Sequence, residues 1–100
     1  VCDITDNAFE LKLFIENDYD IYKSMLVPTY KALEIAKSND RYKENVAVKL
    51  FLSVVRYGVA SYHIQIGKTR KFQLSDQMQV ATTLLSEWEV EYQAGNRHLA

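Results

Sequence analysis

One proline and three glycines are all that punctuate these 100 residues. Glycine and proline are the strongest local breakers, so their scarcity favours long helices joined by short turns. The expected fold is mainly α: a small single-domain bundle of four or five helices over residues 1–100. One β-hairpin, at about residues 59–74, is expected before the C-terminal helix.

The helical periods are readable along most of the chain. Asn7 to Asn17 forms a first helix, capped by Thr5 or Asp6 and anchored by Phe9, Leu13 and Phe14. From Asp18 to Ser38, Ile21, Tyr22, Met25, Leu26, Leu33 and Ala36 keep a helical phase. Pro28 interrupts it, because its ring clashes with the preceding turn. Two helices meeting near Val27 and Pro28 are expected there, with one kinked helix as the alternative. Ser38-Asn39-Asp40 reads as a turn, with Asn39 as a left-handed C-cap and Asp40 as the next N-cap.

A third helix is expected from Arg41 to Tyr57, stopped by Gly58. Asn45, Lys49, Ser53 and Arg56 form one narrow polar stripe on an otherwise apolar cylinder. That pattern predicts the buried centre of a bundle.

After Gly58 the period changes to two: Ala60, Tyr62, Ile64 and Ile66 alternate with Ser61, His63 and Gln65. Phe72 and Leu74 alternate in the same way beyond Gly67-Lys68-Thr69, which predicts the hairpin. A three-residue loop would pair Ile64 with Phe72 and Tyr62 with Leu74 on one face. Continuation of the third helix to Ile64 is the rival reading.

The last helix, about Asp76 to Ala94, is capped by Ser75 and stopped by Gly95. Met78, Ala81, Leu85, Trp88 and Tyr92 fall at spacings of 3, 4, 3 and 4. That is a coiled-coil-like seam, able to pack internally or on a second copy in a homodimer. At under three heptads it is marginal as a coiled coil, so it reads as core first and interface second.

Chemistry is sparse. His63 and His98 do not sit in a metal-binding pattern, and Cys2 is alone near one end, so no metal or cofactor site is expected. Gly67-Lys68-Thr69 matches the end of a phosphate-binding loop, but Tyr62 stands where the pattern needs glycine. The carboxylate pairs Glu87/Glu91 and Asp18/Asp20 read as solvated charge rather than a catalytic dyad. The expected protein is therefore not an enzyme.

A lone cysteine forms no internal disulfide and fits a reducing, cytoplasmic location. No apolar run is long enough to cross a membrane as a helix. The start at Val1 rather than Met leaves a periplasmic origin or a larger parent protein open.

The expected function is a small non-enzymatic interaction protein, a regulator, inhibitor or assembly subunit, with a protein partner. Seven tyrosines support this, because tyrosine offers a large apolar body with a polar tip. The acidic aromatic patch Asp18, Tyr19, Asp20 and Tyr22 is the expected partner site. The alternative is a nucleic-acid-binding regulator whose basic hairpin tip, Lys68, Arg70 and Lys71, touches phosphates. A net charge of −1 argues against that class. Folded back along the last helix, a strand of about 16 Å would instead set this tip beside Glu87, Glu89 and Glu91 for internal neutralisation.

Overall fold

The computed structural model describes residues 7–67 and 72–93. It is mainly helical: α1 (Asn7–Asn17), α2 (Tyr19–Ile21), a π-helical segment (Tyr22–Leu26), α3 (Val27–Ser38), α4 (Glu44–Ile66) and α5 (Leu74–Gln93). No strand occurs among the described residues. α4 packs most extensively on α5, and α1 lies against both. Leu11, Ile15, Phe51, Val54, Leu84 and Trp88 are among the fully buried side chains at the centre.

α1 has the expected bounds but turns a different face inward. Ala8, Leu11 and Ile15 are buried, while Phe9 is 56% and Leu13 40% exposed. Two apolar stripes run along this helix, and the one that docks on α4 and α5 is the buried one.

The stretch from Tyr19 to Ser38 is one continuous helical run rather than two helices, since the residues at each junction keep right-handed helical angles. The π segment immediately precedes Pro28, and Val27 N–H reaches back five residues to the Tyr22 carbonyl. The wider turn gives room for the proline ring, which in a regular α-helix collides with the carbonyl four residues earlier.

The turn after α3 forms where expected, shifted by one residue. Asp40, not Asn39, takes the left-handed conformation, at φ 59°. Arg41 N–H donates to Ala36 C=O (2.7 Å) and Asp40 N–H to Lys37 C=O (3.2 Å). These are the two bonds of a Schellman motif. Asp40 is thus the end of one helix rather than the cap of the next; Lys43 occupies the position before α4.

The expected hairpin is not supported, and its loop, residues 68–71, lies outside the described residues. α4 continues for 23 residues to Ile66, and α5 already begins at Leu74. Gly58, expected as a stop, lies mid-helix and buried. A Cβ there would stand 2.5 Å from Ile15 Cγ1, so the missing side chain lets α1 and α4 approach closely. Gly67 is the stop: φ is +73°, and its N–H donates to His63 C=O at 3.1 Å. The helical spacing Val55, Gly58, Tyr62 carries the buried face through the region that reads as period two. The alternating set is thereby split, with Tyr62 buried and Ile64 81% exposed.

The seam of α5 packs internally through Ala81, Leu85 and Trp88, with Tyr92 partly buried, while Met78 at its start is exposed. Gln73 N–H donates to Asp76 Oδ2 (3.1 Å) just before α5, so the helix starts one residue ahead of the predicted Ser75 cap. The Lys37 ammonium caps the aromatic end of the seam, 4.9, 5.6 and 5.0 Å from the ring centres of Tyr42, Trp88 and Tyr92.

Candidate interaction surfaces

The predicted acidic aromatic patch lies at the start of one helical run, with Asp18 half-buried and Tyr19, Asp20 and Tyr22 exposed. Asp18 is committed to structure. Its Oδ1 accepts Ile21 N–H (3.0 Å) as the cap of α2, and its Oδ2 accepts Gln65 Nε2–H (2.8 Å) from the end of α4. Tyr19 is exposed, with the Lys23 ammonium 5.8 Å from its ring centre, and Asp20 is exposed beside it. Tyr22, also exposed, lines a cleft with Tyr30 and Trp88.

Both bonds favour the ionised Asp18 carboxylate, Ile21 N–H first and Gln65 second, so its pKa lies below the usual aspartate value. A carboxylate depressed on folding contributes stability that is present above its unfolded value, about 3.9, and is lost as pH falls through the folded value. Asp18→Ala is expected to cost about 1 kcal/mol at pH 7. Urea titrations should show that cost shrinking as the pH is lowered beneath the aspartate range.

Lys68, Arg70 and Lys71 lie outside the described residues, as do His98 and Cys2. The expected neutralisation of the α5 glutamates by a folded-back hairpin is likewise not supported. Glu87 takes its counter-charge from α1: Lys12 Nζ is 2.9 Å from Glu87 Oε2 and 3.0 Å from Glu16 Oε2. Glu89 accepts the Tyr42 hydroxyl hydrogen. His63 sits near the end of α4, stacked on Phe72 with ring centres 6.2 Å apart.

The cleft holding Tyr22 is lined by Glu16, Leu26, Tyr30, Glu87, Trp88 and Glu91, and encloses about 210 Å³. One ammonium serves two carboxylates at its edge. Burial lowers the Lys12 pKa, but hydrogen bonds to Glu87 and Glu16 outweigh it and hold the ammonium above its usual value. Burial raises the Glu16 carboxyl; Lys12 opposes this and Glu87 reinforces it. Burial also raises the Tyr30 hydroxyl, with Glu16, Glu91 and Glu87 adding to the effect. The cleft therefore keeps Tyr30 protonated and carries excess negative charge.

A larger surface lies on α4. Val46, Leu50, Ser53, Tyr57, Ala60 and Ile64, spaced 4, 3, 4, 3 and 4, are all exposed. Val46 is 46%, Leu50 36%, Tyr57 48% and Ile64 81% open to solvent. The opposite side of the same helix, through Ala47, Phe51, Val54, Val55, Gly58 and Tyr62, is the buried one. Lys49 and Arg56 stand exposed along one edge of the outer stripe, and neither has an ion pair among the described residues. The spacing of this stripe is present in the sequence. It was masked there by the apolar character of the whole helix, which predicts burial all round rather than a second, uncovered seam.

The fold and these surfaces define a small, mainly α-helical domain, and no described helix is long and apolar enough to cross a membrane. The chain matches no family model, and no curated protein or solved structure matches it significantly.

Proposed function

We propose that this protein is a non-enzymatic interaction protein, a small regulator, inhibitor or assembly subunit that acts through protein–protein contacts. The observation that supports this reading is the outer face of α4, a coiled-coil-spaced stripe, apolar except at Ser53, left open to solvent on a helix whose other side is core. Contiguous apolar surface of this kind is characteristic of interaction sites, whereas singly scattered apolar residues are ordinary. The lone cysteine supports placing the protein in a reducing compartment, the cytoplasm.

Site-specific photo-crosslinking in the cell that makes the protein tests the proposal. A photoreactive side chain at Tyr57 is expected to give discrete protein adducts. The same group at Lys31, an exposed position on α3, is expected to give none. The adducts should vanish when Ile64, 81% exposed and so dispensable for folding, is changed to Gln. Equal labelling from both positions, or no adduct from position 57, would count decisively against the reading.

A further inference from the structure

We infer that the outer face of α4 docks an amphipathic helix from a partner protein, one whose apolar stripe is edged by carboxylates. This deepens the interaction reading above and rests on it.

The shape of the face selects a helix. Val46 to Ile64 spans about 27 Å at ~1.5 Å per residue, all of it on one continuous helix. The alternating 3 and 4 spacing is the seam along which two helices pack at a shallow angle, knobs into holes. Large and small residues alternate down the seam: Leu50, Tyr57 and Ile64 stand out, while Ser53 and Ala60 leave recesses between them. A facing helix with large apolar residues at its own seam positions would fill those recesses.

Charge selects the chemistry of that helix. Lys49 and Arg56 are one heptad apart on the same edge of the stripe, where a coiled coil sets its interhelical ion pairs. Both are exposed and without an ion pair among the described residues, while the acid of α4, Glu44, is in its first turn, before the stripe. The same edge argues against a second copy of this chain. An antiparallel self-seam would set each copy's Lys49 and Arg56 against its mate's. A parallel one would set them against Ala47, Val54 and Ser61, which hold no carboxylate. A partner with glutamate or aspartate along its flank answers both cations.

The probes are two synthetic peptides of about three heptads with leucine at the seam positions. One carries glutamate at the flanking positions and the other lysine. Fluorescence anisotropy with the full chain is expected to show at least tenfold tighter binding of the glutamate peptide at low salt, with the gap narrowing as salt is added. Tyr57→Gln with Ile64→Gln, both neutral, should abolish binding while circular dichroism stays native. Lys49→Glu with Arg56→Glu should reverse the preference.

Equal binding of the two peptides overturns the inference, as does binding of neither. Dimerisation of the free protein that is lost in the double Gln variant would reassign the face to a second copy. Binding to anionic vesicles with the same dependence on the face, and no peptide preference, would reassign it to a lipid surface. A crosslink from position 57 without a preference for the glutamate peptide leaves the interaction reading standing and removes this one; absence of the crosslink removes both.

Discussion

Trp88→Ala is expected to unfold the domain. Trp88 is 1% exposed and sits where α5 meets the other helices, with its ring centre 5.8 Å from that of Tyr42 and 5.3 Å from that of Tyr92. It also forms part of the aromatic surface under the Lys37 ammonium. Truncation of a buried tryptophan costs about 3–5 kcal/mol through lost burial and the cavity left behind. A small domain has a total stability of roughly 5 kcal/mol or a little more, so this one change removes most of it. Trp88 is the sole tryptophan, so indole fluorescence follows unfolding of the wild type, while far-UV circular dichroism must follow the variant. Trp88→Phe is expected to be much milder, because it retains a ring and forfeits no hydrogen bond: the buried indole Nε1 has no acceptor among the described residues. A Trp88→Ala protein that remains a folded monomer with the wild-type urea midpoint would mean that the α5 seam packs between copies.

The second large effect is expected at Gly58, where local propensity and packing have opposite signs. In an isolated helix, alanine is better than glycine by about 1 kcal/mol. Here the added Cβ would stand 2.5 Å from Ile15 Cγ1 and 2.8 Å from Ile15 Cδ1. Ile15 is fully buried and β-branched, so it has little freedom to retreat. Overpacking of this kind costs about 1–3 kcal/mol, and Gly58→Ala is expected to be net destabilising. Gly58→Val should be worse. Ile15→Ala removes the two atoms in the way, and in that background Gly58→Ala should become stabilising. The reversal of sign is a coupling between residues on different helices, measurable by a double-mutant cycle of urea midpoints. A Gly58→Ala protein more stable than the wild type would show that α1 and α4 do not approach closely at this point.

The two glycines show where local reading of this chain stops. Gly58 and Gly67 both follow helical segments, and either can end a helix. The reason Gly58 does not is Ile15, which lies more than forty positions earlier in the chain. Once Gly58 is absorbed as a crossing point, the alternation from Ala60 to Ile66 loses its meaning as a strand. Tyr62 then remains in the core, donating its hydroxyl hydrogen to Glu10 Oε2 of α1 (2.6 Å). The same long-range pairing decides which apolar stripe of α1 is buried.

The candidate surfaces were legible in a corresponding degree. The patch around Tyr19 was visible as composition, but Asp18 within it caps α2 and binds Gln65 from a helix distant in the chain. The outer stripe of α4 was written in the residues as a 4-3-4-3-4 spacing. Its exposure was not, because exposure depends on how many neighbours are available to cover a helix.

By itself, the sequence determined the helical class, the extent of α1, the turn that follows α3 and the apolar seam of α5. These follow from periodicity, turn residues and the scarcity of breakers, all of which act within a few residues of backbone. The tertiary structure alone decided which glycine ends α4, which face of α1 is core, and that α4 is a flank with one open face rather than an enclosed centre. A helix can carry more apolar surface than a chain of this length has helices to bury, and only the packed arrangement chooses which stripe is left facing water.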